Sequence, residues 1–345
     1  MKTIGILLAI MLVLTGCGVD KSKITIEKEV GLLQTVKERG YLVCGVNAGL
    51  PGFASEDEEG NWSGLDVDFC RAVSAAVFGD ADKVEYLGLN SAQRFPTLAS
   101  GSIDILSRNT TWTISRDVNL MFEFAGVSYY DGQGFLVPAS LGITSARGLD
   151  GAFVCIASET TSELNLNDYF AENNMAYKPI YVEGNKDAKA KLFAGECDVF
   201  TTDASGLASA RAGAENPDDW VVLPEIISKE PLGPLVRQGD QEWEDVVRWT
   251  LFAMINAEEM GITSRNVDDM LAAQSKEVKR LLGVEGYMGP MLGLGMKFGY
   301  NIIKQVGNYG ESFNKHIGPG TPLNLERGLN NLWNNGGILY VPPFR

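Results

Sequence analysis

The apolar positions of this chain come in short blocks that alternate between two spacings. Short apolar segments at 41–46, 84–89 and 103–106 predict strands, and apolar residues at helical spacing over 65–78 predict a helix that ends at Gly79. Because strands alternate with helices, the pattern predicts an α/β fold. We expect a mostly parallel sheet with helices on both faces.

The same alternation starts again after residue 138. The predicted elements are strands at 153–157, 179–182 and 199–202, and helices at 163–173, 187–194 and 205–212. The first of these helices is expected to be capped by Thr161 or Ser162. Two similar α/β units in succession predict two lobes with a cleft between them. In such sheets, ligands bind in loops at the carboxyl ends of the strands.

The predicted parts of the chain follow from this repeat. They are a leader at 1–16, a tether at 17–30, lobe 1 at 31–137, lobe 2 at 138–232, and a return to lobe 1 with a C-terminal extension at 233–345. The extension is expected to be helical, because amphipathic patterns cover 243–260 and 267–282. The two crossings between lobes are expected near 132–137 and 232–236.

The leader is apolar from Ile4 to Leu14 and carries one basic residue, Lys2. A run this short does not span a bilayer, which needs roughly 20 apolar residues, but it suits a signal peptide. The residues before Cys17 resemble the lipobox of bacterial lipoproteins, which implies that Cys17 carries lipid and anchors the mature chain to a membrane. The alternative is an ordinary secretory signal with an incidental cysteine.

Charge and histidine content exclude several functions. Lysine and arginine number 29 and aspartate and glutamate 44, so the formal net charge is −15, which argues against a nucleic-acid surface. His316 is the only histidine, which leaves no basis for a histidine-rich metal site and little for a histidine-dependent triad. We therefore predict no catalytic residue, no metal and no cofactor.

Four cysteines follow the leader: Cys44, Cys70, Cys155 and Cys197. An even number in an exported protein suggests two disulfides, with four free buried thiols as the alternative. Three pairings are possible, and the sequence alone does not choose among them. The pairing that keeps each bridge within one predicted lobe is Cys44–Cys70 with Cys155–Cys197.

Three polar segments lie at predicted strand ends. Residues 107–116 combine hydroxyls, an amide and two arginines, and arginine offers two parallel donors to a carboxylate. Residues 158–162 precede a helix, whose first N–H groups attract anions. The third segment is 201–203, and its last residue, Asp203, could hold an ammonium group, although a role as helix N-cap explains it equally well locally. Together they suit an amino-acid ligand.

Longer motifs resemble one family. The segments that carry the resemblance are 62–68 (WSGLDVD), 101–104 (GSID), 106–113 (LSRNTTWT), 129–134 (YYDGQG), 222–233 (VLPEIISKEPLG) and 306–311 (VGNYGE). They are similar to extracellular solute-binding proteins family 3, the receptors of polar amino-acid ABC importers, and within it to the general L-amino-acid binding subgroup. The resemblance implies a two-lobe, type II periplasmic-binding-protein-like fold with a helical C-terminal extension.

The family's ligand-binding positions carry over to six residues. The resemblance implies that the guanidinium of Arg116 clamps the ligand carboxylate and that Thr111 touches both ends of the ligand backbone. The backbone N–H of Thr161 would meet the carboxylate from lobe 2, and Asp203 would hold the ammonium. The remaining positions, which line the cleft, are Asn109 and Asn47.

At two positions this chain differs from some relatives in a way that bears on ligand specificity. Some relatives that bind basic amino acids place aromatic side chains where this chain has Leu50 and Ser91. The departure argues against a narrow cationic specificity and favours a wide, tolerant pocket.

The resemblance implies an exported, monomeric lipoprotein, on the outer face of the cytoplasmic membrane or in the periplasm. It would capture L-amino acids broadly by hinge closure and present them to an importer's permease subunits. Two alternatives stay open. Dehydratases acting on prephenate- or arogenate-type substrates share this fold, so fold alone does not exclude an enzyme. A soluble sensor that presents its ligand to a signalling receptor is the other alternative.

Overall fold

The computed structural model describes residues 30–345. The predicted signal peptide at 1–16, Cys17 and all but the last residue of the 17–30 tether lie outside the described residues. Within residues 30–345, no helix combines the length and the apolar character that a membrane span requires.

The described residues form twelve α-helices, seven of them after residue 200. In chain order they are α1 (Leu32–Arg39), α2 (Leu65–Phe78), α3 (Arg94–Ala99), α4 (Thr161–Glu172), α5 (Asn185–Phe193), α6 (Ala204–Ala212), α7 (Gln241–Glu259), α8 (Val267–Met270), α9 (Lys276–Leu281), α10 (Met288–Met291), α11 (Phe298–Gln305) and α12 (Tyr309–His316). The predicted helix at 65–78 has the same bounds as α2. The predicted helix at 267–282 is wrong, because the chain leaves the helix after Met270 and Ser275 caps a new one at α9.

Fourteen β-strands lie in the same part of the chain. They are β1 (Leu42–Asn47), β2 (Ser55–Glu56), β3 (Trp62–Ser63), β4 (Val84–Leu89), β5 (Ile105–Leu106), β6 (Phe122–Phe124), β7 (Tyr129–Asp131), β8 (Gln133–Pro138), β9 (Phe153–Ala157), β10 (Lys178–Val182), β11 (Val199–Asp203), β12 (Trp220–Val222), β13 (Glu230–Leu232) and β14 (Leu235–Arg237).

The strands assemble into two five-stranded sheets that define the two lobes. Lobe 1 has the strand order β4-β1-β5-β14-β6, and lobe 2 has the order β10-β9-β11-β8-β12. In each sheet a single strand, β14 or β8, runs antiparallel to its neighbours, while the other four share one direction. The sheets are therefore mostly parallel, as predicted, and the reversed strand in each is the one that follows a crossing between lobes.

A short ribbon of β7 and β13 lies between the two sheets. Tyr129 pairs with Leu232 and Asp131 pairs with Glu230, so the two chain segments that join the lobes run side by side. The chain enters the second sheet at Gln133, because β8 pairs with β11 and β12. The predicted border between the lobes, after residue 137, falls inside β8. The apolar pattern of this strand does not indicate which of the two sheets it joins.

The disulfides tie elements within each lobe. Cys44 on β1 is bonded to Cys70 on α2, and Cys155 on β9 is bonded to Cys197, just before β11. The pairing that keeps each bridge inside one lobe is therefore confirmed. All four cysteines are buried in the core of their lobe.

The C-terminal extension packs on lobe 1. Helices α7, α11 and α12 contact α2, and Phe298, Ile302 and Phe313 join the large apolar cluster of that lobe. The ring of His316 lies 2.8 Å (Nε2 to Oδ2) from the buried carboxylate of Asp68. The only histidine of the chain is thus part of the seam between the extension and α2.

Candidate functional site

The predicted polar segments meet in the space between the lobes. Asn47 ends β1, Asn109 follows β5, and both come from lobe 1. Thr161 begins the helix after β9, and Asp203 is the last residue of β11, in lobe 2. The cleft thus lies at the carboxyl ends of parallel strands from two sheets, where open α/β folds place ligands.

A chain of hydrogen bonds crosses the cleft. The Asn47 amide donates to Asn109 Oδ1 at 2.8 Å, and the Asn109 amide donates to Asp203 Oδ2 at 2.9 Å. A second crossing lies outside the polar cluster, where the Ser209 hydroxyl donates to the Pro51 carbonyl at 3.0 Å. These contacts hold the two lobes together in a closed arrangement.

Asp203 is a buried acid that forms no ion pair among the described residues. Although its backbone precedes α6, its side chain makes no capping hydrogen bond and points to Asn109 instead. Burial, with the nearby acids Asp131 and Glu230, raises the pKa of the Asp203 carboxyl to about 8. An acid in this setting needs either a proton or a cationic partner such as an ammonium group.

Two threonines face each other across the cleft and share a buried acid. Thr111 Oγ1 and Thr161 Oγ1 are 3.2 Å apart, and both lie within hydrogen-bond distance of the Glu230 carboxylate. Glu230 lies on β13, in the ribbon that joins the lobes. Thr161 begins α4 but Thr160 caps it by accepting from the Glu163 N–H, so the predicted cap at Thr161 or Ser162 is wrong by one residue.

Arg116 is buried beside the cleft. Its Nη1 donates to the Thr111 carbonyl at 2.8 Å, and its guanidinium lies 5.2 Å from the centre of the Phe95 ring. Burial lowers the pKa of Arg116, while Glu230 and Asp203 act in the opposite direction. The side chain is not among those that line the cavity between the lobes.

Two other arginines do line that cavity. Arg94, at the start of α3, donates weakly from Nη1 to the Asn109 carbonyl (3.5 Å) and the Thr110 hydroxyl (3.4 Å). Arg108 donates to the Leu89 carbonyl at 3.3 Å and to the Ser91 hydroxyl at 3.4 Å. Every one of these hydrogen bonds is long, so both guanidinia retain capacity for a closer anionic partner.

The arginines also repel one another. The pKa of Arg94 is lowered well below its usual value, first by burial and then by Arg108 and Arg116. Burial likewise lowers the pKa of Arg108 to about 10, despite the nearby Asp203 and Asp66 carboxylates. Burial is the main cause of the lowered pKa values, because it disfavours the charged guanidinium. An anion placed between the guanidinia would stabilise their charged form.

Three residues of the site were not predicted from the sequence: Arg94, Arg108 and Glu230. Arg108 stood in the polar segment at 107–116 but had no role of its own. The segment after Arg94 is Phe-Pro-Thr-Leu, not a continuous apolar run, so it gave no signal that Arg94 is buried. Glu230 gave no signal either, since only the fold brings the hinge ribbon behind the threonines.

No metal site is evident in the described range. Among residues 30–345, no three histidine, cysteine, aspartate or glutamate side chains come close enough to hold an ion. His316 lies in the C-terminal extension, where it contacts Asp68 of α2, and not in the cleft.

A cleft between two α/β lobes, with an acid facing a cluster of arginines, defines a two-lobed protein built to bind a small charged molecule. The family model of bacterial extracellular solute-binding proteins, family 3, matches residues 42–265. The chain is 56% identical to the general L-amino acid-binding periplasmic protein AapJ of Rhizobium johnstonii over 315 residues, which cover 91% of this chain and 92% of AapJ.

Two further proteins are nearly as similar. The glutamate/glutamine/aspartate/asparagine-binding protein BztA of Rhodobacter capsulatus is 52% identical over 314 residues, 91% of this chain and 93% of BztA. A solved ABC transporter periplasmic binding protein from Brucella ovis, with glutathione bound, has a TM-score of 0.90 and 52% identity, and the match covers 92% of this chain and all of that one. The chain belongs to the bacterial extracellular solute-binding proteins, family 3. The predicted two-lobe fold is confirmed.

Proposed function

We propose that this chain is the receptor of an amino-acid ABC importer and captures a free amino acid between its lobes. One observation carries the proposal: the same cleft contains a buried acid without a cationic partner and buried arginines with only long hydrogen bonds. Asp203 needs a cation and the arginines need an anion, and a zwitterion supplies both. The named activities of AapJ and BztA support the same ligand class.

The ligand's ammonium would bind Asp203. Its carboxylate would meet Arg116 from lobe 1 and the N–H groups at the start of α4 from lobe 2, next to Thr161. Asn109 and Asn47 would position Asp203 through the hydrogen-bond chain that already crosses the cleft. Because these groups come from both lobes, the ligand would favour the closed form, and closure is what an importer could recognise.

Arg94, Arg108 and Ser91 favour a ligand that has a second anionic group. Two buried guanidinia beside the amino-acid position would bind the side chain of glutamate or aspartate by charge-assisted hydrogen bonds. A preference for acidic side chains is narrower than the broad specificity that we expected from Leu50 and Ser91. The names of two relatives agree, since BztA is named for glutamate and aspartate among its ligands and the Brucella protein holds glutathione, a γ-glutamyl peptide.

We propose binding rather than turnover, because the acids and arginines of the cleft suffice to hold a zwitterion and the single histidine lies elsewhere. We also propose that the chain is exported, acts as a monomer and is anchored by lipid on Cys17. The periplasmic location named for AapJ supports export. Intact-mass analysis of the protein from membranes would show a diacylated Cys17 at the N-terminus, and an unmodified mature chain would contradict the anchor.

Calorimetry with the common L-amino acids tests the receptor function. We expect L-glutamate and L-aspartate to bind most tightly, and Arg116→Ala to weaken binding by about 3–5 kcal/mol because a buried charge loses its partner. Binding of none of the amino acids would contradict the proposal. Incubation with arogenate, followed by product analysis, tests for the enzyme alternative.

A further inference from the structure

Glu230 lies behind the cleft and is 1% exposed. Its Oε2 accepts hydrogen bonds from the hydroxyls of Thr111 and Thr161, the latter at 3.2 Å. Its Oε1 accepts from the Asn165 amide and the Ser228 hydroxyl, both at 2.7 Å. From its position in the hinge ribbon, this one carboxylate therefore holds donors of lobe 1 and lobe 2 at the same time.

The two threonine hydroxyls have no hydrogen left for a ligand. A hydroxyl has one hydrogen and two lone pairs, and a carboxylate can only accept. Thr111 therefore donates its hydrogen to Glu230. The hydrogen of Thr161 goes either to Glu230 or to Thr111 Oγ1, which is 3.2 Å away. In both arrangements the hydroxyls present only lone pairs to the cleft.

We infer that Glu230 fixes the polarity of Thr111 and Thr161, so that the pair selects an α-ammonium group and rejects a carbonyl oxygen at the same position. The inference rests on the proposed function and deepens it. Glu230 does not line the cavity, so it is a positioning residue that acts through the hydroxyls. The carboxylate end of the ligand is then left to guanidinium and backbone N–H donors rather than to Thr111.

The test compares L-glutamate with 2-oxoglutarate, which carries a carbonyl in place of the ammonium. Calorimetry gives the ratio of the two dissociation constants for the full mature chain. In Glu230→Gln the new amide can donate to the hydroxyls and free their hydrogens for the ligand. We expect the preference for L-glutamate to fall at least tenfold, roughly the effect of one charge-assisted hydrogen bond.

Loss of a negative charge would by itself weaken ammonium binding, so the hydroxyl route needs its own control. Thr111→Val removes that hydroxyl, and adding Glu230→Gln to this variant should change the ratio much less than it does alone. An undiminished change in the Thr111→Val background would overturn the inference. Glu311→Gln removes a carboxylate that accepts from the Ser264 hydroxyl in the C-terminal extension, and the ratio should stay unchanged.

The remaining outcomes are distinct. An unaltered ratio in Glu230→Gln overturns the inference and leaves the receptor function standing, whereas wild-type protein that binds no amino acid overturns both. If thermal unfolding shows that Glu230→Gln does not fold, Thr161→Val takes its place, because it removes one acceptor and keeps the acid. It should weaken L-glutamate at least about tenfold and 2-oxoglutarate less; equal losses for both ligands would overturn the inference.

Discussion

Arg94 is 3% exposed, yet the two hydrogen bonds of its guanidinium are long and its Nε has no partner among the described residues. Burying a charge with so little compensation costs free energy in the ligand-free protein. The same incomplete pairing leaves room for a carboxylate. Arg94 thus illustrates a site residue that lowers stability in exchange for binding.

Replacing Arg94 by Met should therefore have opposite effects on stability and binding. We expect the ligand-free protein to gain about 1 kcal/mol in free energy of unfolding and L-glutamate to bind at least about tenfold more weakly. Denaturant unfolding and calorimetry measure the two effects. Arg237→Met is the matched control, because Arg237 donates to the Leu98 and Ile103 carbonyls at 3.1 and 2.8 Å, and its loss should destabilise the protein. Lower stability in Arg94→Met would contradict the interpretation.

Asp203 makes ligand binding dependent on pH. Its pKa is raised to about 8 in the folded, ligand-free protein, against about 3.9 when unfolded, so its charging destabilises that state as the pH rises toward 8. A bound ammonium reverses this effect, because it pairs with the ionised acid. The increase in melting temperature caused by L-glutamate should thus be larger at about pH 8.5 than at about pH 6. In Asp203→Asn the increase should be small and the same at both pH values; a wild-type increase that does not change with pH would argue against the role of Asp203.

Among the elements, the strand-to-helix units hold their shape partly through covalent bonds. Cys155–Cys197 closes a segment with a sequence separation of 42 residues, which contains α4, β10 and α5. These elements carry part of the lobe 2 side of the cleft, while Asp203 follows the segment on β11. Their mutual position thus depends on a bridge that limits the unfolded chain as well as on the apolar core of the lobe.

Removing this bridge should destabilise the protein without abolishing the site. We expect the double variant Cys155→Ser/Cys197→Ser to lose about 3–4 kcal/mol of unfolding free energy, from the loop that the bridge closes. L-glutamate affinity should change little, because neither cysteine lines the cleft. Urea unfolding of the oxidised, reduced and double-variant proteins measures the effect. A reduced protein as stable as the oxidised one would contradict this account.

In the molecule as a whole, the two lobes touch outside the ligand position as well as within it. Ser209 on α6 of lobe 2 donates to the Pro51 carbonyl in a loop of lobe 1. A contact of this kind stabilises the closed form whether or not a ligand is present. The apparent affinity then depends on how much of the ligand-free protein is closed.

Ser209→Ala should shift the ligand-free protein toward the open form. The loss of one neutral hydrogen bond is worth about 0.5–1.5 kcal/mol, so we expect L-glutamate affinity to fall roughly 2- to 12-fold. Small-angle scattering should show a larger radius of gyration without ligand. Ser74→Ala is the control, because Ser74 donates to the Asp80 and Lys83 carbonyls within lobe 1 and does not bridge the lobes. An unchanged radius and affinity in Ser209→Ala would show that this contact does not govern closure.

The sequence by itself determined the features that depend on local pattern. Helix periodicity gave α2 its bounds, strand ends located Asn109 and Asp203, and the division into lobes narrowed the disulfide pairing. These properties follow from the spacing of apolar residues and from short-range chain geometry. The ligand-binding roles of Arg116 and Thr161 came from family resemblance and stay predictions.

Only the tertiary structure decided what lies behind and between these positions. The pKa values of Arg94 and Arg108 are lowered by burial, and that of Arg94 also by Arg108. Glu230 reaches the threonines because β7 and β13 pair between the lobes. The direction of β8 and the border at Gln133 likewise depend on pairing with β11, far along the chain. Burial and long-range pairing are properties of the folded whole, so no local pattern specifies them.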